Sequence, residues 1–238
     1  MTVRLNFFLE GKSEYGFLQE VLVPYLSSRG IAANGRMIKT SKTQKGGFKN
    51  FQQVWNDMRD WMKEDSNACF TTMFDLYRLP KLQPEDKSSE IPQGFPGQEQ
   101  AQKLNGYEKV RCLETALADF VNKRFDGFFH DRFIPYIQLH EFETLLLVDV
   151  QPLEELYPYR AGKLSEISSF DKPETVNGGE NTHPSKRIID CIPEYEGDKP
   201  TSGPIAAADI GLDKLRGKCP HFNEWLSNLE NLAKKETP

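Results

Sequence analysis

The chain has 238 residues, 38% hydrophobic, 27% charged and 11% aromatic, a mixture that can build a core and excludes a disordered, collagen-like or disulfide-framework protein. Thirty Lys and Arg against 35 Asp and Glu give a net charge of −5, which taken whole speaks against a nucleic-acid binder. That charge is uneven: Val21 to Asn56 holds six basic residues (Arg29, Arg36, Lys39, Lys42, Lys45, Lys49) and no acid, leaving the remaining residues at −11.

Val3 to Leu9 is a mostly apolar run that reads as a buried strand closed by Glu10-Gly11. Ser13 is placed to N-cap a helix through about Ser28, with Glu14 in its first turn and Gly30 beyond its end. Ile31 to Ile38 reads as a second strand, and the polar, basic Lys39 to Asn50 as a loop. Phe51, Val54, Trp55, Met58, Trp61 and Met62 mark an amphipathic helix to Lys63, and Ala68 to Phe74 is a strand that stops at Asp75. Strand and helix alternate here as in a parallel α/β sheet. Leu76 to Gly106 is rich in Pro and Gly and shows no periodicity. A helix follows at Tyr107 to Arg124, a strand at Arg132 to Leu139, then His140-Glu141-Phe142-Glu143 and the apolar Thr144 to Val150. From Gln151 the pattern is helical, interrupted by polar loops at Asp171 to Pro184 and Glu196 to Pro204.

The expected organisation is an α/β core over 1–150, with an insertion at about 76–106, and a mainly helical extension over 151–238. No apolar run reaches membrane-spanning length, and charged Glu10, Lys12 and Glu14 come too early for a secretory signal. Cys69, Cys112, Cys191 and Cys219 form no C-x-x-C pair, so free thiols in a cytoplasmic protein are expected. Cys219-Pro220-His221 reads as a helix start with a packed aromatic.

In open α/β sheets the reactive crevice lies beyond the carboxyl ends of the strands. Three predicted strands end in acids: Glu10, then Asp75, then Glu141 and Glu143, while Glu14 lies one helical turn past Glu10. Three of them have a plain alternative, Glu14 as a helix-dipole carboxylate, Asp75 as a turn residue and Glu143 as a solvent-facing one. Together they form the set of oxygen donors that hard cations such as Mg²⁺ or Mn²⁺ take, and such ions serve phosphodiester chemistry.

Phe8-Leu9-Glu10-Gly11-Lys12-Ser13-Glu14 resembles the opening of the Toprim domains of OLD-type nucleases. More closely, the chain resembles an uncharacterised bacterial family with a Toprim-like fold, often encoded beside ABC-type ATPases in suspected phage-defence operons. The resemblance runs through Phe74 to Pro80, Phe95 to Gly97, Pro135 to Leu146, Pro184 to Ile188 and Gly203 to Leu212. It implies a Toprim-like sheet flanked by helices, with Glu10 as metal ligand or acid/base group, Glu14 as the additional glutamate, and Asp75 as the first aspartate of D-x-D. Tyr77 stands where the second aspartate belongs, so either Glu141 or Glu143 completes the ligands or the site is degenerate.

His140 is a candidate proton shuttle or metal ligand, or else a structural hydrogen-bonding residue. Ser185 would cap a helix whose N–H groups, beside Lys186 and Arg187, suit a phosphate, after the Gly-rich Asn177 to Asn181. Lys39, Lys42 and Lys45 are spaced for phosphate contacts, on a loop expected at the rim that carries Glu10 and Asp75. No Walker or G-x-G-x-x-G pattern is present, so ATP binding by this chain itself is not expected. The expected function is a Mg²⁺- or Mn²⁺-dependent nuclease on DNA or RNA, the effector of an ABC-type ATPase partner, as a possible homodimer. The competing readings are a non-catalytic Toprim-like adaptor and an enzyme acting on small phosphate esters.

Overall fold

The computed structural model describes residues 2–39, 48–82, 90–167, 170–176, 179 and 182–235. A five-stranded parallel sheet is its centre: β1 (Val3–Leu9), β2 (Ile31–Met37), β3 (Cys69–Asp75), β4 (Phe133–Ile134) and β5 (Ile137–Gln138). The spatial order is β2-β1-β3-β4, and β5 continues the β4 side of β3. Leu9 pairs with both Met37 and Met73, and Asp75 pairs with Gln138, so all strands end at one edge.

Both faces of β1 and β3 are covered, which is why these strands are buried almost throughout and show no polar/apolar alternation. Side chains still alternate between two cores. Leu5, Phe7, Leu9 and Met73 face α1 (Lys12–Phe17), α2 (Val23–Ser27) and the C-terminal helices; Phe8, Phe70 and Phe74 face α3 (Phe51–Glu64) and α5 (Gly106–Arg124). The C-terminal region beyond 151 shares the first of these apolar clusters with β1, packed directly onto the sheet.

Four local expectations are revised. The first helix starts at Lys12 with extended Gly11 as N-cap, and Ser13 makes no cap. It also widens into a π-turn at Leu18–Leu22, Val23 N–H reaching Leu18 O, immediately ahead of Pro24, whose ring would crowd a regular helix. The predicted strand 132–139 is split into β4 and β5 at Pro135, which has no N–H for the ladder; Thr72 Oγ1 fills the gap, accepting Tyr136 N–H at 2.8 Å and donating to Tyr136 O at 2.7 Å. The predicted loop Glu196 to Pro204 lies inside α8 (Tyr195–Ile210). Pro200 and Pro204 are one turn apart, so their missing donors lie on one face, and Pro204 packs against α1 at Gly16.

The 76–106 segment holds a 3₁₀ turn at Leu76–Arg78 and α4 (Gln98–Ala101), and buries Leu79 and Phe95 in the second core. Short helices α6 (Gln151–Glu155), α7 (Pro184–Cys191) and α9 (Leu212–Lys218) lead to α10 (Pro220–Lys235). Trp225 of α10 stacks on Tyr136 at 4.2 Å and donates to Thr71 Oγ1 at 2.9 Å, fastening the C-terminal layer to the sheet. His221 also stacks on Tyr136 and lies 2.9 Å from Glu114, while Glu174 accepts the His221 and Phe222 N–H groups at the start of α10. The four cysteines are free thiols. Among the described residues no helix is long and apolar enough to cross a membrane.

Candidate functional site

The common edge of the sheet brings the acids together. Glu10 follows β1, Glu14 sits in the first turn of α1, Asp75 ends β3, and Glu141 and Glu143 follow β5. None is more than 8% exposed. Glu10 Oε2 accepts the Asp75 N–H at 3.0 Å, tying the ends of the two central strands. Asp75 Oδ1 is buried with no hydrogen-bond partner.

Burial is the main cause of their high pKa values, and mutual repulsion adds to it. Glu10 is pushed well above the usual carboxylate range by burial and then by Glu14; the Asp75 N–H and the Arg78 guanidinium oppose this. Asp75 is pushed up by burial and by all four neighbouring glutamates. Glu14 is raised to about 7, burial and Glu143 outweighing the Gly11 and Glu14 N–H groups and Arg78. Glu143 is raised by burial and Glu141, against Lys199, whose Nζ lies 3.4 Å away. Tyr195 OH donates to Glu143 at 3.3 Å.

Glu141 differs from the others because its oxygens are engaged. Oε1 accepts from Ser185 N–H at 2.6 Å and His183 Nδ1 at 2.9 Å, and Oε2 accepts from the Ser185 hydroxyl at 3.0 Å. The N-cap of α7 is His183, and its Ser185 N–H is taken by an internal carboxylate. Ser185 is therefore not the cap that the sequence suggests, and the place expected for a phosphate at this helix start is held by Glu141.

His140 adopts a left-handed backbone (φ 65°), its Nδ1 lies 3.1 Å from Tyr77 OH, and burial pushes its pKa down, favouring neutral imidazole. Tyr77 occupies the rim with its ring edge-on to His183 at 6.1 Å. Beside the acids opens a cleft of about 800 Å³, and of the five only Glu141 lines it. Among the described residues five cations line it (Arg78, Lys81, Lys109, Lys186 and Lys199) against two acids, Glu141 and Glu196. That excess among the described lining residues is opposite in sign to the chain's net charge.

The expected phosphate contacts divide. Lys186 lines the cleft and is paired with Asp190 on its own helix. Arg187 donates to Thr182 O and lies over Phe170, away from the cleft lining. Lys39 follows β2 at the expected edge, its N–H bound to Asp57 Oδ2 at 2.9 Å, but it does not line the cleft. Lys42 and Lys45, and most of Asn177 to Asn181, lie outside the described residues. The acid-free block is not unpaired in the fold: Arg36 meets Asp57 and Glu64, and Arg29 meets Glu230.

Arg78, Lys81, Lys109, Lys199 and His183 are site residues that the sequence reading did not assign. Arg78 had a signal, standing three residues past Asp75; Lys199, inside an apparent loop, had none.

For a divalent cation the donor chemistry fits: hard oxygens whose pKa values are raised by burial and mutual repulsion, with one buried oxygen unpartnered. The geometry is not that of a closed ligand set, since among the described residues no three His, Cys, Asp or Glu side chains form a group that could hold a metal ion as they stand. Residues 9–230 match the family described as a domain of unknown function, DUF4276, and the chain belongs to that family. No curated protein and no solved structure matches it.

Proposed function

We propose that this DUF4276 protein is a divalent-cation-dependent nuclease whose active centre is the carboxylate cluster beside the cationic cleft. The observation that carries the reading is the pairing of opposites: buried, mutually repelling carboxylates at the carboxyl edge of a parallel sheet, joined through Glu141 to a cleft whose described lining holds five cations. The first group calls for a cation, the second for a polyanion. Glu10 and Asp75 would hold Mg²⁺ or Mn²⁺, with Glu14 and Glu143 beside them. When bound, such an ion supplies charge stabilisation and lowers the pKa of water. Arg78 and Lys199, which line the cleft, would hold phosphate oxygens, and Glu14, raised to about 7, would take a proton near neutral pH. The Toprim-like motif at Glu10 to Glu14 supports the same assignment, and extends it to an effector that works with an ABC-type ATPase in phage defence.

With purified protein, DNA or RNA and Mn²⁺, the wild type is expected to cleave, and Glu10→Ala and Asp75→Ala to lose at least about 100-fold in rate. Equal cleavage by all three would overturn the site. The second reading, a non-catalytic adaptor, is favoured by Tyr77 in place of the second aspartate and by the open ligand geometry. Calorimetric titration with Mn²⁺ separates them, because an adaptor shows no binding that depends on Glu10 and Asp75.

A further inference from the structure

Glu141 and His183 form a carboxylate–imidazole pair at the wall of the cleft. Their Oε1–Nδ1 separation is 2.9 Å, and the pair lines the cleft beside Ser185 and Tyr77. The carboxylate is fixed independently of the imidazole: Ser185 gives it both its N–H and its hydroxyl. Glu141 is buried, whereas the His183 side chain is 28% exposed, so the partner with access to the cleft is the imidazole. Because Nδ1 donates to the carboxylate, Nε2 is the ring atom turned away from Glu141 and left for a molecule in the cleft. A base whose orientation is fixed by a third group is the arrangement that proton transfer in hydrolysis uses.

We infer that His183 is the general acid of the hydrolytic reaction and that Glu141 is its positioning residue, not a metal ligand. This rests on the nuclease reading. The water oxygen forms a bond to phosphorus as the bond from phosphorus to the departing ester oxygen breaks. The proton on His183 Nε2 passes to that departing oxygen, and the proton lost by water passes to a carboxylate of the cluster. Glu141 stabilises the imidazolium before transfer and keeps Nδ1 protonated after it. The five cations of the cleft provide the phosphate contacts, so His183 is not needed for binding.

Two substrates test the assignment: a dinucleotide, whose alkoxide leaving group needs a proton, and its p-nitrophenyl phosphodiester analogue, whose phenolate leaves without one. His183→Asn keeps a donor for Glu141 while removing Nε2, and guards against a variant that fails to fold. On the dinucleotide, His183→Ala and His183→Asn are expected to lower kcat by roughly 100-fold or more with KM little changed. On the p-nitrophenyl ester the same variants should stay within about threefold of wild type. Glu141→Gln should show the same selectivity with a smaller loss, and added imidazole should restore His183→Ala on the dinucleotide. Equal losses on both substrates would overturn the general-acid role and leave the nuclease reading standing. A wild type that hydrolyses neither ester with Mn²⁺ would overturn both.

Discussion

Glu14 is both a helix-terminal carboxylate and a reactive one, and its burial decides the balance. Its side chain accepts from the Gly11 N–H, the reciprocal half of a capping box, so its alternative as a helix-start acid is realised in the fold. Yet it is 5% exposed and titrates at about 7 instead of 4.5. The folded protein thus holds a proton through a range in which the unfolded chain has lost it. That contribution is full below about pH 4.5 and is lost as pH rises through 7. Glu14→Gln, which keeps the acceptor and removes the charge, should raise the melting temperature at pH 8 by roughly 2–4 °C for each kcal/mol relieved, with no change near pH 4. Thermal melts at the two pH values check this, and a destabilised Glu14→Gln at pH 8 would mean the carboxylate is already compensated. Asp75 and Glu10 shift in the same direction, so stability lost towards alkaline pH should be recovered on adding Mn²⁺ if the cluster binds it.

The contact between α1 and α8 joins two elements that carry site residues. The first helix carries Glu14 and the second Lys199, and they meet at Gly16, where an added Cβ would lie 2.6 Å from Pro204 Cγ. Overpacking of this kind costs about 1–3 kcal/mol. Gly16→Ala is therefore expected to destabilise by that amount in urea denaturation, and Gly16→Ala with Pro204→Ala to recover most of it, since the second change removes the clashing ring. A harmless Gly16→Ala would show that the helices separate easily. The same contact explains why Glu196 to Pro204, a loop by its local sequence, is helical within α8. Two prolines and two glycines in nine residues argue locally against a helix, and packing on α1 and on Phe142 overrides that propensity. The neighbouring strand failed in a different way: the apolar run 132–139 was visible, but Pro135 breaks it and a threonine hydroxyl from β3 repairs the ladder.

Over the whole molecule the net charge of −5 conceals two opposed fields, an acidic cluster at the sheet edge and a cationic cleft beside it, with Glu141 in both. Phosphate binding in that cleft depends on salt through the number of cations engaged. Arg78→Ala should weaken binding of a single-stranded oligonucleotide and lower the slope of log K against log salt by about 0.7. Lys39→Ala, outside the cleft lining, should leave both unchanged; fluorescence anisotropy across a salt series distinguishes them, and the opposite ranking would move the interface to the N-terminal basic block. The sequence alone determined the three long strands, the parallel α/β class and the acids at three strand ends, because apolar runs, helical periodicity and strand-terminal residues are local patterns. It also marked Glu10, Glu14, Asp75, Glu141 and Glu143 as a set, since parallel strands must end at one edge. Only the tertiary structure decided that Glu141 is occupied by Ser185 and His183, and that Arg78, Lys81, Lys109 and Lys199 share one cleft. These residues are up to 121 positions apart in the chain, and no local pattern specifies which distant side chains the packing of helices on a sheet will bring together.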